Sequence, residues 1–214
     1  TQAIVVLGFL EVRNLTLTAT AFNSFESFPS NYDREQLWRH SLATAIAADR
    51  IARLTGRDTD GCFEAALLHD MGKVALDWLY PVLFREAATE AKKRESLIGD
   101  VEQEMFGMTH ATVSGLLAEH WNLPESVVAA VRFHHSPEEV KVDADLARIV
   151  AAANCLTYRA ELGESSNGRA PEFPVELRDE LGLTGSNCED IVEELVNSRD
   201  KIEGFIGALT TEVS

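Results

Sequence analysis

Cysteine is scarce in this sequence, and its three cysteines lie far apart. Cys62, Cys155 and Cys188 form no CxxC pair and are odd in number, so a disulfide framework is not expected. Because unpaired cysteines are typical of proteins in reducing compartments, the sequence predicts a cytoplasmic location.

Long apolar runs are also missing. No segment approaches the run of about 18 apolar residues that identifies a membrane-spanning helix. The opening stretch TQAIVVLGFLEV has neither the basic start nor the cleavage site of a secretory signal. We therefore expect neither a membrane anchor nor a membrane partner.

Positively charged residues are few compared with negatively charged ones. The chain has 19 Lys and Arg residues against 35 Asp and Glu residues, which gives a formal charge of -16. Such an acidic surface repels nucleic-acid backbones and anionic lipid, so nucleic acid is not an expected partner. Chemistry on a phosphate would need local positive charge, which bound metal ions could supply.

Helical patterns dominate what is present, and no stretch alternates polar and apolar residues as a strand does. With 214 residues, 45% of them hydrophobic, the chain can bury a sizeable core. We therefore predict an all-α fold. Asp33 is predicted to cap a helix that ends at Gly56, Pro81 to begin another, and Thr109 to cap a third.

Other helices are predicted from charge and periodicity. One should run from about residue 60 to near Gly72. The charged region 89–107 should expose at least one face to solvent, and two charged helices are expected near 174–182 and 188–208. Their acidic faces could contact a partner protein, although exposure to solvent is the simpler interpretation.

A His-Asp pair in the apolar stretch FEAALLHDMGKVAL calls for an explanation. Burying the carboxylate of Asp70 is costly unless it is paired, hydrogen-bonded or bound to a metal. Besides His120, the chain has histidines that could share this task on four successive helical segments: His40, His69, His110, His134 and His135. Helices that pack in a bundle project such side chains into one core.

Imidazole and carboxylate together are typical ligands of Fe, Mn and Zn. A carboxylate can bridge two such ions, and two-metal sites suit displacement at a phosphate ester. Each residue also has an ordinary structural interpretation. His120 is interpreted as a hydrogen-bonded core histidine rather than a ligand, Asp70 could be a turn residue, and Lys73 could complement a helix C-terminus. The ordered set as a whole favours a metal site.

This order, H…HD-x-GK…H…HH, resembles the HD superfamily of metal-dependent phosphohydrolases. The opening QAIVVLGFLEVRN makes it similar to the HDOD branch found in bacterial signalling proteins. The resemblance implies an HD-domain-like helical bundle with a metal site in the core between helices. It implies an N-terminal helix over 1–32 that matches the middle of an HDOD domain, an HD-type core over 33–160, and a loop with C-terminal helices over 161–214.

The resemblance also implies roles for particular residues. Candidate ligands for one or two divalent ions (Fe, Mn or Zn) are His40, His69, Asp70, His110, His134, His135 and Asn154. In catalytic relatives the motif lysine helps to hold a substrate phosphate, so Asp70 and Lys73 are the candidate catalytic residues.

The sequence departs from the superfamily pattern at two places. Asn154 stands where members usually have an aspartate, and a neutral amide oxygen is a weaker metal donor than a carboxylate. The stretch HHSPEEVKVDAD also lacks the GYP loop of cyclic di-GMP phosphodiesterases. HDOD domains normally have a helical region upstream of the segment at which this sequence begins.

These features support two functional hypotheses. The first is a regulatory module of bacterial signal transduction that has a His/Asp divalent-metal site, weak or no catalysis, and signalling proteins as partners. The alternative is a metal-dependent phosphohydrolase, a nucleotidase or phosphodiesterase, acting on a phosphate-containing small molecule.

Overall fold

The structure, a computed structural model, describes residues 33–58, 60–164 and 166–211, and side chains as far as residue 207. The prediction of an all-α fold is confirmed: these residues form helices and turns and contain no strand. The predicted helix over 1–32 lies outside the described residues, and the division into three regions stays a prediction.

The helices follow one another through short connections. They are α1 (Arg34–Thr55), α2 (Cys62–Leu68), α3 (Met71–Leu79), α4 (Pro81–Arg94), α5 (Ile98–Phe106), α6 (His110–His120), α7 (Glu125–Arg132), a 3-10 turn (Pro137–Glu139), α8 (Asp145–Arg159), α9 (Val175–Leu181), α10 (Gly185–Asn197) and α11 (Arg199–Thr211). None of those in the described part of the chain is long and apolar enough to cross a membrane.

Helix α1 begins and ends where the sequence predicted. The side chain of Asp33 accepts a hydrogen bond from the backbone N–H of Gln36, and Gly56 ends the helix in the left-handed conformation at φ +67°. Between these caps α1 buries many small side chains and packs closely against α2 and α8. These three helices form the centre of the main hydrophobic core.

The predicted helix from about residue 60 to Gly72 is wrong at its C-terminal end. Helix α2 ends at Leu68, His69 and Asp70 form a turn, and Gly72 lies inside α3. Gly72 is a packing residue rather than a stop signal, because a Cβ placed there would lie 2.0 Å from the carbonyl oxygen of His110. The turn directs both members of the His-Asp pair inward.

The other predicted helix starts are confirmed, except for those near the C-terminus. Pro81 opens α4, and the Thr109 side chain caps α6. Where two charged helices were expected, the chain forms three, α9 to α11. A capping box between Thr184 and Asn187 starts α10 before the predicted residue 188, and Ser198 separates α10 from α11.

Two hydrophobic cores support the site between them. The larger joins α1, α2 and α8 with residues of α7 and of the C-terminal helices. The smaller lies under α4 and α5, where Phe84, Ile98 and Val101 pack together. Helix α3 packs against helix α6 at Gly72, so the turn that carries Asp70 lies beside the start of α6.

Candidate metal centre

The structure brings the candidate ligands of the sequence into one buried cluster. They come from the middle of α1, the α2–α3 turn, the start of α6, the turn after α7 and the middle of α8: His40, His69, Asp70, His110, His134, His135 and Asn154. All are buried except His135, which lies at the edge of the cluster and is exposed on one side.

Asp70 is at the centre of the cluster and is only 1% exposed. Its Oδ1 lies 3.2 Å from Nε2 of His110 and 3.7 Å from Nε2 of His134. Its Oδ2 lies 2.8 Å from Nζ of Lys73 and 3.3 Å from Nε2 of His69. Burial alone would raise the pKa of Asp70, but attraction to His69 and Lys73 holds that pKa well below its usual value. Asp70 is therefore a buried carboxylate anion.

Two of the histidines are held by backbone carbonyl groups of their own turns. Nδ1 of His69 lies 2.6 Å from the carbonyl oxygen of Ala66, and Nδ1 of His134 lies 2.7 Å from that of Val131. Because a carbonyl can only accept, each Nδ1 donates a proton to its carbonyl, and each Nε2 is directed towards Asp70. This is the arrangement in which metal-binding imidazoles are usually fixed.

His110 is held instead by a buried carboxylate that the sequence did not point to. One oxygen of Glu102 lies 2.6 Å from Nδ1 and 2.7 Å from the backbone nitrogen of His110, and Glu102 is fully buried. Burial would lower the pKa of His110, but the negative charge of Glu102 and the nearby Asp70 raise it overall. Glu102 lies in the charged region 89–107, where its burial among exposed acidic residues left no distinguishing signal.

His135 faces His110 directly. Their Nε2 atoms are 3.0 Å apart, and the two rings meet edge to face. Two imidazole lone pairs cannot lie this close without a proton or a cation between them. His110 and His135 thus form one part of a site that suits a cation, at the solvent-exposed edge of the cluster.

His40 lies on the opposite side of the cluster, next to Asn154. Its Nε2 is 2.9 Å from the Asn154 side-chain oxygen. Burial, together with the nearby His69, lowers the pKa of His40 to about 3, so the ring is neutral. It donates from Nε2 to the amide oxygen, and its Nδ1 is buried with no hydrogen-bond partner in the described part of the chain.

Several buried polar atoms in the cluster are left without hydrogen bonds among the described residues. They include Oδ1 of Asp70 and Nε2 of both His69 and His134. Unpaired buried polar atoms are costly, and a cation that binds them removes the cost. Asp70, His110, His134 and His135 offer ligand atoms within 4.8 Å of one another, as do His40, His69 and Asp70. The cluster could therefore hold a divalent metal ion.

His120 lies apart from the cluster, at the C-terminal end of α6, as expected for a non-ligand. Its interpretation as a core histidine was wrong, because its side chain is exposed to solvent.

A cleft of about 490 Å³ opens beside the cluster. Its inner wall includes His134, His135 and Asn154, and its rim has four glutamates and Arg169. The volume is within the range of small-molecule sites. Neither Asp70 nor Lys73 lines the cleft, as far as the structure describes the chain.

Known proteins share this fold. An HDOD domain protein of Geobacter sulfurreducens with unknown function is 27% identical and superposes with a TM-score of 0.78, covering 97% of this chain and 73% of that chain. A protein of Marinobacter aquaeolei, provisionally named as a signal transduction protein, has a TM-score of 0.78 at 23% identity, covering 96% and 46%. A protein of Shewanella amazonensis, provisionally named as a phosphohydrolase, has a TM-score of 0.74 at 18% identity, covering 97% and 75%. The Marinobacter and Shewanella proteins are less than 25% identical to this chain, so these two matches show only that the fold is shared.

Sequence comparison extends the match and identifies the family. An uncharacterised protein of Treponema pallidum is 28% identical over 203 residues, which are 90% of this chain and 38% of that protein. The chain thus spans less than half the length of this relative. The sequence profile of the HDOD domain matches residues 1–137. The residues matched include the whole histidine series and the HD-x-GK motif, and the chain belongs to the HDOD domain family.

Proposed function

We propose that this chain is a regulatory HDOD module of bacterial signal transduction, and that its buried His/Asp cluster holds a divalent metal ion. The observation that carries the proposal is the set of buried, unpaired ligand atoms around one carboxylate: Oδ1 of Asp70 and Nε2 of His69 and His134. A helical scaffold without an ion has no use for so many unpaired groups in its core.

The chain's own residues prepare the site for a cation. The backbone carbonyls of Ala66 and Val131 fix the rings of His69 and His134, and Glu102 fixes His110. A bound divalent ion would supply positive charge at Asp70 and link segments that are distant in the sequence. These residues then hold the α2–α3 turn, the start of α6 and the turn after α7 in one arrangement, which a partner protein could recognise.

The position of Lys73 favours regulation over catalysis. Its side chain is fully buried, and its ammonium group binds Asp70 at 2.8 Å. A lysine that holds a substrate phosphate would need to reach the cleft, and Lys73 does not line it. Structural metal sites are closed, whereas catalytic sites keep an open position, and most of this cluster is closed.

The alternative, a phosphohydrolase, is favoured by one observation. His135 is exposed, and the cleft beside it reaches both His134 and His135. A phosphate ester in this cleft could approach an ion bound at the edge of the cluster. The acidic rim would disfavour highly charged nucleotides, so a phosphomonoester is the better substrate class for this alternative.

Metal analysis tests the proposal. The protein, purified without chelators and incubated with Mn²⁺, Fe²⁺ or Zn²⁺, is expected to retain a divalent ion after desalting. Asp70→Asn should lose it because the central charge is removed, whereas His120→Gln, an exposed histidine on α6, should not. Absence of bound metal in the unmodified protein under every loading condition would overturn the metal site.

An activity panel separates the two functions. With Mn²⁺ present, we expect hydrolysis of phosphomonoesters, nucleotides and cyclic dinucleotides to equal that of Asp70→Asn. Metal-dependent turnover that disappears in Asp70→Asn and persists in His120→Gln would replace the regulatory assignment with the enzymatic one.

A further inference from the structure

We infer that the cluster holds one ion rather than two, and that this ion binds on the His110 side of Asp70. This inference rests on the proposed function and specifies it. It depends on an asymmetry between the two sets of ligand atoms that share Asp70. On one side the Asp70 oxygen has no hydrogen bond from the described residues and two imidazole nitrogens face each other at 3.0 Å. On the other side the Asp70 oxygen and one ring are already occupied by groups of the protein itself.

The set on the His110 side is ready for a cation. His134 has its proton on Nδ1, directed at the Val131 carbonyl, so its Nε2 lone pair is free. Glu102 holds Nδ1 of His110, and Nε2 of His110 lies 3.0 Å from Nε2 of His135, where a cation could replace the proton between the two rings. Oδ1 of Asp70 lies between these rings and has no hydrogen bond from any described residue. His135 completes the set from the exposed edge, which also gives an ion a route in from solvent.

The set on the His40 side is blocked at two of its three members. Nε2 of His40 is engaged by the Asn154 amide at 2.9 Å. This holds for either orientation of the amide, because the ring nitrogen is a donor to the oxygen in one and an acceptor from the nitrogen in the other. Of this set, His69 has an Nε2 that lies 3.3 Å from Asp70 without a hydrogen bond among the described residues.

Lys73 engages Asp70, the other blocked member of that set. Its ammonium group is 2.8 Å from Oδ2 of Asp70, and the side chain has no exposed surface. A second divalent ion on this side would have to displace or lie against a buried positive charge, where Coulomb repulsion is screened little by water. Lys73 thus takes the place of a second metal ion as the counter-charge of Asp70.

Counting ions per chain tests the inference. Native mass spectrometry of the protein saturated with Mn²⁺ should show one ion, with the electron paramagnetic resonance spectrum of an isolated Mn²⁺. Two ions, or the spectrum of a coupled pair, would overturn the inference while leaving the metal site itself intact. No ion at all would overturn the proposed function and the inference together.

Substitutions on either side of Asp70 locate the ion. His135→Gln should weaken Mn²⁺ binding by about 100-fold, whereas His40→Gln should change it by less than about threefold. The reverse order would overturn the inference. Both variants are compared by circular dichroism, so that a loss of binding is counted only where the helical fold is retained.

A double variant tests the reason for the single ion. Lys73→Met with Asn154→Asp removes the buried ammonium and restores the missing carboxylate, and the variant should bind two Mn²⁺ ions. Lys92→Met with Asn122→Asp makes the same charge changes at exposed positions and should still bind one. A folded double variant at Lys73 and Asn154 that still binds one ion would show that these two residues do not block the second site.

Discussion

His110 and His40 lie on opposite sides of the cluster and are built into it in similar ways. Each ring is held by a polar side chain from another helix, Glu102 for His110 and Asn154 for His40. Each also has a glycine from another segment against its own backbone, Gly72 for His110 and Gly163 for His40.

The difference between the two sides is one of charge and of the nitrogen that is bound. The carboxylate of Glu102 binds Nδ1 and leaves the inward-facing Nε2 of His110 for a cation. The neutral amide of Asn154 binds Nε2 of His40 itself. A similar support therefore leaves Nε2 of one ring facing Asp70 and engages Nε2 of the other, so the identity of the supporting group decides which nitrogen of a buried histidine is available.

The largest expected effect comes from the glycines that both sides share. A Cβ at position 72 would lie 2.0 Å from the His110 oxygen, and one at position 163 would lie 2.3 Å from the His40 nitrogen. Gly72→Ala and Gly163→Ala should each lower the free energy of unfolding by about 3 kcal/mol, measured by urea denaturation. Gly204→Ala, with no atom near its added Cβ, should be neutral or stabilising by up to about 1 kcal/mol. Equal stabilities for all three variants would contradict the close packing at the two histidines.

The sequence predicted the family, the helix caps and the ligand candidates because those features are local or are ordered in a recognisable motif. The roles of Gly72 and Glu102 could not be predicted in this way. Gly72 resembles a helix stop signal, and its contact with His110 depends on how α3 crosses α6. Glu102 is one acid among several in a charged segment, and only the packing of α5 shows that it is the buried one.

The C-terminal helices show a further limit of sequence reasoning. The start of α10 was placed too late because its capping box uses Asn187 where glutamate or glutamine is the common signal. No glycine or proline marks the break between α10 and α11 at Ser198. These errors do not affect the site, because its ligands come from α1 to α8.

The next largest effect is expected at Glu102, where one substitution can remove the charge of the side chain and keep its hydrogen bonds. In Glu102→Gln the amide oxygen can still accept both hydrogen bonds from His110, but the negative charge behind the ring is lost. Mn²⁺ affinity should fall by about 10- to 100-fold, measured by isothermal titration calorimetry. Glu104→Gln, at an exposed position on the same helix, should leave the affinity unchanged. If both variants bind Mn²⁺ equally well, Glu102 is not a support for a ligand.

Asn154→Asp converts the His40 side towards the chemistry of the His110 side. The added carboxylate is not a ligand of the ion proposed on the His110 side, but its negative charge lies in the same buried cluster and should raise Mn²⁺ affinity by about tenfold. Without metal the buried charge should lower the melting temperature, and added Mn²⁺ should restore it. Asn122→Asp adds the same charge at an exposed position and should produce neither effect. A metal-independent melting temperature in Asn154→Asp would show that the charge at residue 154 does not act on the ion.

The smallest effect concerns the hydroxyl groups beside each histidine. Ser114 accepts a hydrogen bond from the backbone N–H of Gly72 at 2.7 Å, and Thr44 donates one to the carbonyl of His40 at 2.8 Å. Ser114→Ala leaves a buried N–H unpaired and should cost about 1 to 2 kcal/mol, whereas Thr44→Val should cost less than about 1 kcal/mol, since the carbonyl of His40 also accepts the helix hydrogen bond of α1. The unfolding free energies of the two metal-free variants, measured by thermal unfolding, test this difference. A larger loss for Thr44→Val would mean that the His40 side is the more tightly constrained of the two.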